Sequence, residues 1–173
     1  MHNYKGLTFN KFKNEDVATF SDIMRQAFDF DAEIHLGTGQ GGGPTGYDNG
    51  DYLKKWYFDE AIKAFSVFKD GEPIGGVAVK INGDNINYLW NIFISPHRPE
   101  KGLGLVIWQF IEQKYPNTVK WQTDSTGYSL KNLVFYVNKC GFSVVKINNY
   151  RDVGGFSYSL EKNIPAPAPS LRA

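Results

Sequence analysis

The run NYLWNIFISPHRPEKGLGLVIWQFIE, Asn87–Glu112, joins an apolar stretch to an amphipathic one through a basic turn that contains glycine. Tyr88–Ile94 reads as a strand. The turn carries Arg98 and Lys101, and a helix begins near Gly102. The first amides of such a helix have no intrahelical partner, and they lie at its positive dipole end. Gly102 and Gly104 remove side chains where a diphosphate would have to approach the backbone. A strand-to-helix turn with glycines for close packing is the plainer account. Strand, basic turn, glycines and amphipathic helix taken together favour an anionic ligand.

Working outward, the chain alternates strand and helix signals. LTFNKF (Leu7–Phe12) alternates as a half-buried strand. Asn14 is expected to cap a helix whose first turn holds Glu15 and Asp16 and whose apolar face is Val17, Phe20, Ile23, Met24 and Phe28. From Asp29 to Gly50 no period is visible. DYLKKWYFDEA is a short helix. The segment from Ala64 to Ser95 reads as three strands with turns at Asp70-Gly71 and Gly83-Asp84. Gly102–Tyr115 is a helix, TVKWQT a strand and Ser129–Lys139 a helix. Gly141 is a left-handed stop with Phe142 folded back on the last turn. FSVVKI and GGFSYSLE close the order as strands. Residues 1–163 are expected to form one domain, and the Pro/Ala-rich residues 164–173 a disordered tail.

Composition sets the outer limits. At 173 residues the chain can bury a proper core. A hydrophobic share of 42% with 21% charged residues is that of an ordinary soluble protein. The net charge of +1 provides no bulk field for nucleic acid or a membrane surface, so neither is expected as a partner. The lone Cys140 excludes an internal disulfide framework and fits a reducing compartment. The first residues lack the apolar core of a signal peptide, and no apolar run approaches a membrane span. A cytoplasmic location is the expectation. The aromatic share of 16% suits a ring-rich core before it suits a ring-lined cleft.

A second glycine-rich stretch, GTGQGGGPTG (Gly37–Gly46), is a weaker phosphate candidate. It lacks the lysine and the Ser/Thr of a nucleotide-triphosphate loop, and no strand leads into it. A mobile loop bordering a cleft is the better reading.

IFISPHRPEKGLG, followed by a helix, a strand and then NLVFYVNKCGF, resembles the GNAT superfamily of N-acetyltransferases. The resemblance covers most of the chain and implies a mixed α+β fold. Its central sheet would be mixed and largely antiparallel, with about seven strands, flanked by helices and splayed at the cofactor strand. It also implies acetyl-CoA as co-substrate, no metal, and an acceptor amine on a small molecule or peptide. The pantetheine arm would lie along Asn91, Ile92, Phe93 and Ile94. The pyrophosphate would sit on the amides of Lys101, Gly102, Leu103, Gly104 and Leu105, and Asn132 would reach the cofactor from the second helix. The sequence departs from the family's pattern at two points. Pro99 stands where an Arg or Gln is usual, so Arg98 would take over the charge. Tyr136 stands one residue earlier than the family's tyrosine, about 100° of helix rotation, which a one-residue bulge would correct.

The chemistry implied is direct attack of a neutral amine on the thioester, with Tyr136 donating to the leaving thiolate. The alternative reading of Tyr136 is a core ring, and Cys140 suits a packing role rather than a nucleophile's. The strand Ile86–Ile94 carries Asn87 and Asn91 but no carboxylate. Asp124 is a candidate base, with capping of the next turn as its plainer role. Glu33, His35 or a water chain stay open for the same task. Tyr47, Asp48 and Asp51 are expected to recognise a cationic acceptor from the glycine loop. A non-catalytic acyl-CoA-binding module on the same fold is the alternative function, and a homodimer stays open as the assembly.

Overall fold

The computed structural model describes residues 1–37, 39, 41–98, 100–152 and 155–165. Among the described residues eight strands form one sheet, β1 (His2–Tyr4), β2 (Leu7–Lys11), β3 (Ile62–Lys69), β4 (Glu72–Lys80), β5 (Ile86–Ile94), β6 (Lys120–Thr126), β8 (Ser157–Asn163) and β7 (Ser143–Asn148) in spatial order. Neighbours run antiparallel except β5 and β6, which are parallel. The expected mixed, largely antiparallel sheet is therefore present. Its additional strand is β1, too short to show alternation, which folds onto β2 through Lys5 and Gly6, both at positive φ (46° and 79°). The Asp70-Gly71 turn takes the same left-handed pair (51° and 82°), the geometry that matches strand twist in tight hairpins.

Helices cover both faces. On one, α1 (Val17–Leu36) and α2 (Asp51–Trp56) bury Phe20, Ile23, Met24 and Leu53 against Ile62, Ala64, Ala78 and Phe93. On the other, α3 (Leu103–Lys114) packs Ile107, Trp108, Phe110 and Ile111 on Phe9, Val67, Val77 and Leu89. The short α4 (Leu130–Val134) continues into a π-helical turn, Phe135–Lys139. Gly141 ends it at φ 80°, and Phe142 folds back onto Trp108 and Tyr136 as the sequence indicates.

Helix α1 departs from expectation at both ends. Asn14 is not its cap. A single 3-10 turn, Asn14–Asp16, precedes it, and Asp16 Oδ2 accepts the Lys13 N–H at 2.9 Å. At the other end the helix runs on to Leu36 and stops at Gly37 (φ 97°), whose N–H donates to Glu33 O. The missing period has a cause. Phe30, Ile34 and Leu36 are exposed here, while Asp31 and Ala32 are buried, so polarity and burial are inverted. Ile164, placed by the sequence at the start of the tail, donates its N–H to Val119 O at 2.9 Å. Beyond Pro165 the tail lies outside the described residues, as does Pro99.

Candidate active site

The site is a gap in the sheet. Strands β5 and β6 pair from Ile86↔Lys120 to Tyr88↔Gln122 and then part, although both continue. Thr123 Oγ1 donates to Leu89 O at 2.9 Å and closes the vertex of this V. A bulge between β4 and β5, at Ala78/Val79, turns β5 at the same level. The Ser95 N–H donates to Ile74 O on the β4 side at 2.8 Å. Alternation along β5 then aims the N–H and C=O groups of Ile92 and Ile94 into the V. Free edge groups of this kind can pair with the amides of an extended ligand.

At the open end of β5, α3 begins at Gly102 (φ 90°) with no side-chain cap, so its first amides are free to bind an anion. Lys101 is exposed beside them and Arg98 lies in the preceding turn. Lys69 binds Glu100 at 2.7 Å and ties that turn to β3. Gly104 takes the close-packing role that the sequence offers as the plainer account. A Cβ there would lie 3.1 Å and 3.3 Å from Phe135 and 3.5 Å from Ile94. Its missing side chain lets the π-helical turn close against the start of α3.

The π-helical turn supplies the bulge that the spacing of Tyr136 requires. Cys140 N–H donates to Phe135 O, an i→i+5 bond, and Phe142 N–H to Tyr136 O, both at 3.0 Å. Tyr136 is 8% exposed. Burial raises its phenol above the ordinary value, Cys140 adds to the rise, and hydrogen bonding to Thr123 opposes it. The hydroxyl therefore stays protonated and able to donate near the vertex of the V. Burial pushes the neighbouring Cys140 thiol up to about 12, so its thiolate is scarce at neutral pH, which fits packing and not attack.

The other expected residues divide. Asn132 opens α4 and donates from Nδ2 to Asp31 Oδ2 at 3.3 Å. The Asn91 side chain belongs to the α2 side, accepting from Tyr57 at 2.6 Å and donating to Tyr52 at 3.2 Å. Phe93 packs in the core under α1. Asp124 is exposed and already engaged, accepting from Tyr88 at 2.5 Å and from Ser159 at 2.7 Å. Asn87 is 2% exposed and structural, bonded to Thr118 and Asn82. Leu103 and Leu105 pack against the core under α3.

The glycine loop folds over α1. Tyr47 donates to Asp29 at 2.5 Å and its ring meets Phe28, so it anchors the loop. That bond to Asp29, with burial, raises its phenol to about 12. Asp48 and Asp51 are exposed on the loop and on α2, and Asp51 lies 3.5 Å from Lys54. Gly42 accepts from Tyr128 OH at 2.7 Å, and a Cβ there would lie 2.6 Å from both Ala32 and that hydroxyl. Gly42→Ala is expected to lift the loop off α1 and lower stability by about 1–3 kcal/mol, the usual range for overpacking. Thermal melting checks this, and an unchanged melting temperature would show that the loop is not held down at Gly42.

A buried acid that sequence patterning passes over, Asp31, lies at this corner. His35 is one turn further along α1, and its ring faces Tyr128. Among the described residues, no group of three or more His, Cys, Asp or Glu side chains is arranged to hold a metal ion. Among the same residues, no helix is long and apolar enough to cross a membrane.

Residues 27–142 match the acetyltransferase (GNAT) family. The uncharacterized protein YrkN of Bacillus subtilis (strain 168) is 34% identical over 138 residues, which cover 79% of this chain and 73% of that protein. An acetyltransferase from Thermus thermophilus superimposes with a TM-score of 0.72 at 19% identity, over 94% of this chain and 100% of that one. The PaiA N-acetyltransferase of Thermoplasma acidophilum, solved in complex with coenzyme A, gives a TM-score of 0.69 at 17% identity, over 91% and 99%.

Proposed function

The chain belongs to the acetyltransferase (GNAT) family, and from that premise we propose that it is a cytoplasmic N-acetyltransferase. It moves an acetyl group from acetyl-CoA to a primary amine of a small molecule or peptide, by direct attack in a ternary complex. The observation that carries this reading is the V between β5 and β6, with uncapped α3 amides at its open end.

The free N–H and C=O groups of Ile92 and Ile94 suit the amides of the pantetheine arm. The amides from Lys101 to Leu105 suit the pyrophosphate, with Arg98 and Lys101 adding positive charge. A backbone N–H in the V meets the thioester oxygen as it gains charge. Tyr136 donates a hydrogen bond to the departing sulfur, and Asn132 steadies the thioester end. No covalent enzyme intermediate is needed, in keeping with the high thiol pKa of Cys140.

The test is CoA release from acetyl-CoA across a panel of primary amines. Steady release that depends on the amine supports transfer. Tight acetyl-CoA binding with no release across the panel would make the protein a binding module instead.

A further inference from the structure

Asp31 is 5% exposed, and its two oxygens are unequally served. Oδ2 accepts the long bond from Asn132, at 3.3 Å. Oδ1 is buried without a hydrogen-bond donor. His35 Nδ1 lies 3.6 Å from Oδ1, but its hydrogen goes to the Asp31 backbone carbonyl, 2.8 Å away. Among the described residues no lysine or arginine is within ion-pair distance. A buried carboxylate oxygen without a donor is costly, and native proteins seldom keep one without a reason.

The surroundings supply the reason. Asn132, at the start of α4, is the residue assigned above to the thioester end of the site. Tyr128, whose ring faces His35, donates its hydroxyl to Gly42 O. Gly42 of the glycine loop covers the adjoining Ala32. A carboxylate lacking one donor thus lies where the glycine loop and the start of α4 meet α1. Asp124 is poorly suited to the same task, since both of its oxygens are engaged.

Building on the acetyl-transfer reading, we infer that Asp31 Oδ1 is the group that pairs with the acceptor's ammonium and takes its proton. One N–H bond of the ammonium breaks and its proton passes to Oδ1. The freed lone pair forms the N–C bond to the thioester carbonyl, and the C–S bond breaks with its electrons going to sulfur. The second nitrogen proton ends on sulfur as the free thiol, and Asp31 returns its own proton to solvent as product leaves.

Asp31→Asn keeps the shape and removes the charge. With 1,4-diaminobutane as probe, kcat/KM at pH 7 is expected to fall about tenfold, with acetyl-CoA affinity unchanged. His35, Tyr128 and Tyr136 are the titratable groups that face Asp31. The deficit should shrink as pH rises toward about 10, the range of an alkylammonium pKa, because solution then supplies the neutral amine. A merely structural acid would not give that recovery. Unchanged diamine kinetics, a pH-independent deficit or a loss of acetyl-CoA affinity would each overturn the inference. A binding comparison on the CoA-loaded protein uses 1,4-butanediol as the uncharged control. Wild type should bind the diamine and not the diol, and equal binding or none overturns the assignment even if Asp31→Asn fails to fold. Should wild type bind the diamine selectively, Asp31→Asn lose that selectivity and neither release CoA, the transfer reading fails while the pairing of Asp31 with the ammonium stands.

Discussion

Tyr136→Phe is expected to lower the acetyl-transfer turnover number by about 10²-fold, within the range for losing a general acid. Acetyl-CoA affinity and thermal stability should stay close to wild type. The substitution removes one hydroxyl and keeps the ring, so the contacts with Phe135 and Phe142, at centroid distances of 5.3 Å and 5.8 Å, survive. The hydroxyl is worth this much only if it meets charge that develops in the reaction. Burial raises the phenol's pKa, so it holds its proton through the neutral range and can donate at each turnover. A structural hydroxyl would behave in the opposite way. Losing a structural hydrogen bond would then cost about 0.5–1.5 kcal/mol of stability and leave turnover intact. Turnover, acetyl-CoA titration and thermal melting on one variant separate the cases. A destabilised but fully active variant would remove Tyr136 from the mechanism.

Gly104→Val should weaken acetyl-CoA binding at least tenfold, about 1.4 kcal/mol, and should also lower stability by about 1–3 kcal/mol, the usual range for overpacking. The second effect follows from the direction of the missing Cβ. It points at the Phe135 ring, 3.1 Å away, and at Ile94, 3.5 Å away. Added methyls must push the start of α3 away from the π-helical turn or from β5. Either shift moves the α3 amides relative to Ile92 and Ile94, and with them the two halves of the cofactor site. Gly104→Ala should show the same pattern in milder form. Calorimetric titration and melting check both. An unchanged dissociation constant in a folded valine variant would place the ligand elsewhere.

Local chemistry made much of this protein legible in its sequence. Strand alternation, the Asp70-Gly71 turn, the glycine at the head of α3 and the Gly141 stop each depend on a few adjacent residues. Their physical causes are steric and local, so they can be read in order along the chain. The strand, basic turn and helix of Asn87–Glu112 belong to the same class, whereas the mismatch in spacing at Tyr136 shows only against the pattern of the family the sequence resembles.

What only the tertiary structure decided involves partners far apart in sequence. The V exists because β5 and β6 part after Tyr88↔Gln122, which no local pattern encodes. The π-helical bulge is stabilised where Phe135 meets Gly104, 31 residues earlier, so the spacing required it but packing provides it. Asp124, a candidate base or turn cap in the sequence, is instead engaged by Tyr88 and Ser159 from two other strands. Asp31 looked like one more acid in an aperiodic run. Its partner Asn132 lies far along the chain, which is why hydrophobic periodicity could not mark it. Periodicity reports how a segment faces an apolar core, and in this half of α1 the buried residues are Asp31 and Ala32 while Phe30, Ile34 and Leu36 are exposed.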